Sequence, residues 1–396
     1  MSRYHSYLNS ATKILSSYEG GEPFASFLKK YFSANKKYGS KDRKQVSHLC
    51  YSYFRLGKAG EKLSAEEKIL TGLFLCSDKP NEILQHLKPE WNEKTLLPVR
   101  EKIAFTGIQL SSVFPWKEES NDAIDHEKFC TSFFIQPDLF LRIRPRHTEN
   151  VLKKLGQNGL SYEFISPFTL KLSNSFKADK YFEIDKEVVV QDHNSQRVGN
   201  FFLTGRRGSL DRVWDCCAAS GGKSIMAYDL DPSIDLTVSD VRESILINLK
   251  KRFQTAGIKK YRSFVADLSV LPADSYQHTM PFTKAIGVPF DLIIADVPCT
   301  GSGTWSRTPE QLVFFDEKKI DVYAALQKKI TGNLIEHISP GGHLLYITCS
   351  VFKKENEEIV QFIKDKFQLR YLKMELLKGY EIKADSMFVA LFEKPS

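Results

Sequence analysis

The sequence holds seven cysteines but no Cys-x-x-Cys pair. That absence argues against a zinc ribbon. The odd, scattered set of Cys50, Cys76, Cys130, Cys216, Cys217, Cys299 and Cys349 argues against a disulfide framework. Reduced thiols remain, buried or catalytic, and no metal is expected. No apolar run is long enough to span a bilayer, so no membrane partner is expected. The opening Met1-Ser-Arg-Tyr-His lacks the apolar core of a secretory signal, and a cytoplasmic location is the expectation. Internal repeats and low-complexity segments are missing too.

What is present suits a soluble globular protein. Apolar residues make up 42% and charged residues 26% of 396 positions, room for two or three domains. With 56 basic and 48 acidic residues the net charge is +8, a mild excess compatible with an RNA or DNA partner. Lys36, Lys37, Lys41, Arg43 and Lys44 form a local basic run. It suits phosphate contacts, or it is simply a solvated loop.

Residues 1–120 carry helical signals. Val46, Leu49, Cys50, Tyr53 and Phe54 follow the spacing of one buried helix face. Ser64 and Glu67 have capping-box spacing, and Pro80 and Pro89 punctuate later helices. Residues 121–200 change character. Phe140-Leu-Arg-Ile-Arg alternates like a strand up to Pro145, Glu149 to Leu155 suits a helix, and Leu160–Ile165 and Thr169–Leu172 suit short strands. Phe133 and Phe134 in this stretch are either base-stacking aromatics or ordinary core. From Asp211 onward strands alternate with helices, the pattern of a parallel sheet. The strand-like runs are Val213-Trp-Asp-Cys-Cys, Leu236-Thr-Val-Ser-Asp, Phe264-Val-Ala-Asp, Leu292-Ile-Ile-Ala-Asp and His343-Leu-Leu-Tyr-Ile. Ile245, Leu246, Leu249 and Phe253 mark an amphipathic helix between them.

Two of these runs end in cysteine motifs: Asp296-Val-Pro-Cys-Thr-Gly and Ile347-Thr-Cys-Ser. Residues just past the carboxyl ends of strands line the ligand crevice of a doubly wound sheet. Cys299 and Cys349 are therefore expected at one pocket. Free cysteine usually serves as core, but a thiolate is also a strong nucleophile near neutral pH. Two thiols and a carboxylate at one crevice suggest covalent chemistry on an electrophilic ring.

The first strand of the series leads into Cys217-Ala-Ala-Ser-Gly-Gly-Lys-Ser. Small residues there let the backbone approach a ligand at a helix N-terminus. A phosphate-binding P-loop would need Gly where Cys217 stands, so the NTPase reading fails. The next two strands end in Asp240 and Asp267, suited to ribose hydroxyls and to an adenine amine. The blander role of either Asp is a turn or a cap. Taken together, a small-residue loop and two acids suit adenosine without a pyrophosphate, as in S-adenosylmethionine.

From Gln191 to the C-terminus the chain resembles the RNA cytosine-5 methyltransferases of the NOP/Sun type. The resemblance rests on Cys217-Ala-Ala-Ser-Gly-Gly-Lys, Asp296-Val-Pro-Cys-Thr-Gly-Ser-Gly and Thr348-Cys-Ser with Glu355-Asn-Glu, preceded by Gln191-Asp-His-Asn-Ser. Ser40-Lys-Asp-Arg-Lys-Gln-Val-Ser-His-Leu-Cys-Tyr-Ser-Tyr-Phe-Arg is similar to the NusB-type helical domain of the bacterial rRNA branch, Fmu or Sun. Ser220 replaces the usual Pro, Ser306 replaces an Arg, and Asp385-Ser-Met-Phe-Val-Ala replaces a more Gly-rich stretch.

The resemblance implies an α/β fold: a Rossmann-like class I methyltransferase domain over residues 201–396, a small α/β, RRM- or ferredoxin-like module over 121–200, and a helical, NusB-like, RNA-binding domain over 1–120. It implies S-adenosylmethionine held by Cys217, Ala218, Ala219, Ser220, Gly221, Gly222, Lys223, Asp240, Asp267 and Asp296. It implies Cys349 as the nucleophile at cytosine C6, Asp296 as the group on N3, and Cys299 as the helper in release. The DNA enzymes offer the reverse assignment, in which the Pro-Cys thiol, here Cys299, attacks. Lys223 is expected near the cofactor or the thiols, where a cation lowers a thiol pKa, or else on the surface. The expected partner is rRNA, with tRNA as the alternative substrate and a non-catalytic RNA-binding assembly factor as the alternative of another class. A monomer is expected.

Overall fold

The helical spacing at Val46, Leu49, Cys50 and Phe54 is realised in the helix Ser40–Phe54, which buries all four. The computed structural model describes residues 2–202, 204, 211–270 and 289–396. They divide into two compact units, Met1–Pro137 with Thr304–Glu317, and Asp138–Gly303 with Lys318–Ser396.

The first unit is helical, with Arg3–Ser16, Phe24–Ala34, Ser40–Phe54 and Ala65–Cys76 as its longer helices. Ser64 caps the last of these reciprocally: the Glu67 amide donates to Ser64 Oγ at 3.3 Å, and the Ser64 amide to Glu67 Oε2 at 2.8 Å. Such a box satisfies two helix-end donors that would otherwise lack partners. Aromatic rings fill the core, Phe24 against Phe54 at 4.7 Å and Trp305 against Phe315 at 4.7 Å. Phe133 and Phe134 lie in this core and are buried, so neither offers a stacking face. The buried Arg55 donates to the carbonyls of Phe133 and Ser306. Ser306 thus contributes its main chain here.

The second unit contains two sheets. The smaller is antiparallel, in the order β2-β3-β1-β4, from β1 (Leu139–Ile143), β2 (Glu163–Ser166), β3 (Thr169–Leu172) and β4 (Val188–Val190). Val151 and Leu155 of the helix Thr148–Gln157 pack on it, against Leu141, Ile143, Leu170 and Val188. The larger sheet has seven strands in the order β10-β11-β9-β8-β5-β6-β7. Its parallel part is β5 (Arg212–Asp215), β6 (Asp235–Asp240), β7 (Arg262–Val265), β8 (Phe290–Asp296) and β9 (Ile338–Thr348). Two further strands, β10 (Arg370–Leu377) and β11 (Met387–Glu393), pair antiparallel and make the sheet mixed. The alternating strand–helix pattern ends before them, which is why it suggests a purely parallel sheet.

The central strands are apolar on both faces because both are covered. Leu292 and Ile294 pack with Leu246, Leu249 and Phe253 on one side. Ile293 and Ala295 pack with Ala324, Ile330 and Ile359 on the other. Fully burying one such side chain contributes roughly 1.5–3 kcal/mol. The chain runs from β5 outward through β6 and β7, then crosses back to β8 on the other side of β5. That reversal creates a crevice at the carboxyl ends of β5 and β8, where ligands bind in such sheets.

A buried charged seam joins the two sheets of this unit. Arg142 and Arg144, on and just beyond β1, both pair with Asp229, at 2.6 and 2.7 Å. Arg252 pairs with Asp185 at 2.6 Å and donates through Nη1 to Ser220 O and Oγ, both at 2.8 Å. Gln191 accepts from Arg142 Nε at 2.9 Å, and Asn194 Nδ2 donates to the carbonyls of Leu377 and Asp385. The Gln191-Asp-His-Asn segment therefore works as a structural seam.

Candidate active site

Cys299 Sγ and Cys349 Sγ are 3.3 Å apart, although 50 positions separate them in the chain. Register explains the meeting. β8 and β9 are parallel neighbours with Asp296 opposite Ile347, so the loops leaving both strands emerge side by side. Gly303 closes the arrangement. The Gly303 amide donates to the Cys349 carbonyl at 2.8 Å, and the Gly303 carbonyl accepts from the Ser386 amide at 2.9 Å. A Cβ at position 303 would lie 2.1 Å from Ser386 O, so only glycine fits. The replaced Asp385-Ser-Met stretch still makes this backbone contact.

Burial and hydrogen bonding hold Cys299 and Lys223 in defined charge states. Cys299 has its pKa pushed well up, first by its hydrogen bond to Cys349 and then by burial, so it keeps its proton. Lys223 Nζ sits 2.5 Å from Asp296 Oδ2, and its side chain is 10% exposed, which places it inside the site and not on the surface. Burial opposes its charge, but Asp296, Asp215 and Cys349 outweigh that and raise its pKa. The ammonium is therefore charged beside the thiols. Asp296 remains 31% exposed at the side chain and can be reached from the crevice.

Glu355 and Asn356, both fully buried, brace the two cysteine loops. Glu355 accepts from the Thr300 amide at 2.8 Å, from Thr300 Oγ1 and Ser350 Oγ at 2.5 Å each, and from Gln327 Nε2 at 3.2 Å. Gln327 also donates to the Pro298 carbonyl. Asn356 takes the Thr348 hydroxyl at 2.6 Å and donates to the Ser350 carbonyl at 2.9 Å. Burial raises the Glu355 pKa against the pull of these donors. The sequence assigns Glu355 no role of its own. A carboxylate six positions after a strand-end cysteine, among apolar neighbours, is the signal that marks it.

The small-residue loop expected to hold the cofactor, Cys217 to Lys223, lies at the end of β5. Gly221 takes φ +84°, and a Cβ there would lie 2.7 Å from Phe253. Ala218 donates its amide to Ser239 O at 2.9 Å and Ala219 its amide to Asp240 Oδ2 at 3.0 Å. Gly222 opens the helix Gly222–Leu230, and Cys217 borders the apolar packing under the loop. Ser220 spends its hydroxyl on Arg252, so the position without Pro is fixed by a side-chain bond.

Asp240 is buried and paired with Arg242, whose guanidinium is largely exposed. Asp267 is exposed and holds Ser269 in a turn through its amide and hydroxyl. Asp215, unremarked in the sequence, is fully buried beneath the loop. It takes the Ser224 hydroxyl at 2.6 Å, and burial raises its pKa to about 7. Among the described residues no group of three or more His, Cys, Asp or Glu is placed to hold a metal ion, and no helix is long and apolar enough to cross a membrane.

Comparison with known proteins agrees with this geometry. The model of a family described as 16S rRNA methyltransferase RsmB/F matches residues 206–392. Ribosomal RNA small subunit methyltransferase B of Xanthomonas campestris pv. campestris is 32% identical over 176 residues, covering 44% of this chain and 37% of its own length. The protein of the same name from Enterobacter sp. (strain 638) is 26% identical over 306 residues, covering 76% of this chain and 62% of its own. The chain thus spans less than two thirds of either relative. Among solved structures, that of PH0851 aligns at a TM-score of 0.67 with 19% identity over 97% of both chains. NSun6 from Pyrococcus horikoshii, solved with SFG, aligns at 0.56 with 16% identity over 69% of this chain and 94% of that one. These structures establish the Rossmann-like methyltransferase fold.

Proposed function

Taking residues 206–392 as a methyltransferase domain of the RsmB/F type, we propose that the protein methylates C5 of cytosine in ribosomal RNA through a covalent cysteine adduct. S-adenosylmethionine would supply an electrophilic methyl group. The residues present fit it: a tight loop of small residues, Cys217 to Lys223, at the reversal of the sheet, with Asp240, Asp267 and Asp296 at neighbouring strand ends.

Cytosine C5 is too electron-poor to take a methyl group unaided. Cys349 adds as a thiolate to C6, and the electron pair pushed into the ring makes C5 nucleophilic. Asp296, held by Lys223, faces N3 and shares a proton with it, so that the negative charge the attack pushes onto N3 is neutralised as it builds. After methylation a base removes the C5 proton, the C6–S bond breaks, and Cys349 leaves as a thiolate. Cys299 assists this release with its proton.

The observation that supports the assignment is the meeting of two thiols, 3.3 Å apart at the ends of adjacent strands, with the Lys223–Asp296 pair at the same strand ends. The two sulfurs are close enough for a proton to pass between them. The Lys223 ammonium stands near the Cys349 sulfur. The N-terminal helices place Lys41, Lys44 and Lys79 around one cavity, whose lining also holds Asp78 and the Arg3–Glu82 pair, and these lysines suit RNA phosphates. The target base must leave its stack to reach the thiols, at a cost of a few kcal/mol.

Bisulfite sequencing of rRNA and tRNA from cells with and without the gene tests this reading. Loss of a 5-methylcytosine from small-subunit rRNA is the expected result. Loss confined to tRNA moves the substrate, and persistence of every mark overturns the reading.

A further inference from the structure

A second cavity, of about 440 Å³, opens within the Asp138–Gly303 part of the chain, away from the thiols. Arg142, Ile143, Phe168 and Thr169 of the small sheet form one wall, and His193, Arg197, Met226 and Leu230 form the other. Met226 and Leu230 lie in the later turns of the helix whose first turn carries Lys223. A helix rises about 1.5 Å per residue, so Met226 stands about one turn, roughly 6 Å, along the axis from Gly222, and Leu230 about twice that.

Its lining is not ordinary core. Arg142 is 7% exposed, and its Nη2 is buried with no partner among the described residues. His193 Nδ1 is buried and unpartnered as well. A buried guanidinium N–H without an acceptor costs about 1–3 kcal/mol or more, so it marks a place where an acceptor belongs. The acidic group in the lining, Asp229, is already neutralised by Arg142 and Arg144. Arg197 is paired with Glu375. Ser166, Thr169 and Gln196 are linked in a hydrogen-bonded chain that fixes the polar wall. At the rim Phe168, in the turn between β2 and β3, is 55% exposed. Tyr162 and Phe164 precede it at alternate positions and are 40% and 41% exposed. Large aromatics left in water on and beside one strand, leading to a cavity whose lining has a buried, unpartnered guanidinium N–H, suit flat rings that carry acceptors.

The geometry points to a subsite for one unstacked nucleotide of a single-stranded RNA, its base against Phe168 and its acceptor edge on Arg142, with a further polar group of the base at His193 and neighbouring bases on Phe164 and Tyr162. The volume suits a single base with its sugar. The inference rests on the reading that the protein acts on RNA, and it places a contact to the substrate outside the methyl-transfer centre.

The test uses the full-length protein and two variants, Phe168→Ala, which removes the stacking face, and Leu230→Trp, which fills the cavity from its rim. Affinity is read by fluorescence anisotropy with a labelled single-stranded RNA oligonucleotide, and separately with the four nucleoside monophosphates. Calorimetric binding of S-adenosylmethionine serves as the folding control. Each variant is expected to weaken oligonucleotide binding on the order of tenfold, the effect of losing one stacked base. Photocrosslinking with 4-thiouridine-substituted RNA is expected to label Phe168. Unchanged affinity in both variants with the control intact overturns the subsite. Monophosphates binding as tightly as the oligonucleotide overturn it in favour of a small-molecule site. If RNA binding depends on Phe168 but no 5-methylcytosine is made, the methylation reading fails and the subsite stands. If methylation occurs and the variants bind like the parent, the subsite fails alone.

Discussion

Thr300 gives both its amide and its hydroxyl to one carboxylate, that of Glu355, at 2.8 and 2.5 Å across 55 positions of chain. The same carboxylate holds Ser350, so a single buried side chain ties the residue after Cys299 to the residue after Cys349. Thiol separation is thereby set by a group that need not touch substrate.

Replacing that carboxylate should disturb geometry before it disturbs binding. Glu355→Ala leaves the Thr300, Ser350 and Gln327 donors without their acceptor, at about 1–3 kcal/mol for each buried group. Glu355→Gln keeps the volume but turns an N–H₂ toward donors. Both variants are expected to lose several degrees in Tm and to lower kcat with little change in KM for RNA. A KM effect with unchanged kcat would contradict a positioning role.

The two thiols should fail differently. Cys349→Ala is expected to abolish methyl transfer and to form no protein–RNA adduct on denaturing gels. Cys299→Ala should still attack but release poorly, so the adduct accumulates. An adduct formed by Cys349→Ala would assign the attack to Cys299 instead.

Lys223→Met removes the cation that holds Asp296. A hydrogen bond between charged groups contributes about 1.5–3 kcal/mol, so kcat should fall on the order of ten- to a hundredfold. Combined with Asp296→Asn the loss should be less than additive, because both act through one contact. A fully additive double mutant would separate their roles.

Asp215 makes stability depend on pH in an uncommon direction. Its folded pKa is raised to about 7, so between about pH 4 and pH 7 the folded state keeps a proton that the unfolded state has released. Stability contributed by this group is complete below the unfolded pKa and declines as pH rises toward the folded one. The full loss is on the order of 4 kcal/mol. Urea unfolding of Asp215→Asn across this range should show a flatter profile than the parent. An identical slope would remove Asp215 as its source.

Local chemistry made the main sheet legible. Apolar runs of strand length ended in Asp240, Asp296 and the cysteines, and strand-end position alone brought Cys299 and Cys349 to one crevice. What escaped depends on partners remote in sequence. Asp229 is an ordinary helix acid until Arg142 and Arg144, more than 80 positions earlier, close on it. β4 is three residues long, too short for any periodicity. Thr304–Glu317 follows a strand-end motif, yet it packs with the N-terminal unit through Trp305 and its aromatic neighbours. Nothing local distinguishes a loop that stays from one that leaves.

The Arg–Asp seam bears on how the chain can be divided. A fragment beginning at residue 201 would keep Asp229 but lose both guanidiniums that neutralise it, and stripping a buried ion of its partners costs about 3–5 kcal/mol. Arg252 would lose Asp185 while still reaching for Ser220. The cofactor loop would then rest on an arginine anchored at one end. The smallest heritable piece that folds around this loop should therefore start near Asp138, and shuffling of the larger sheet between proteins should carry the small sheet along with it.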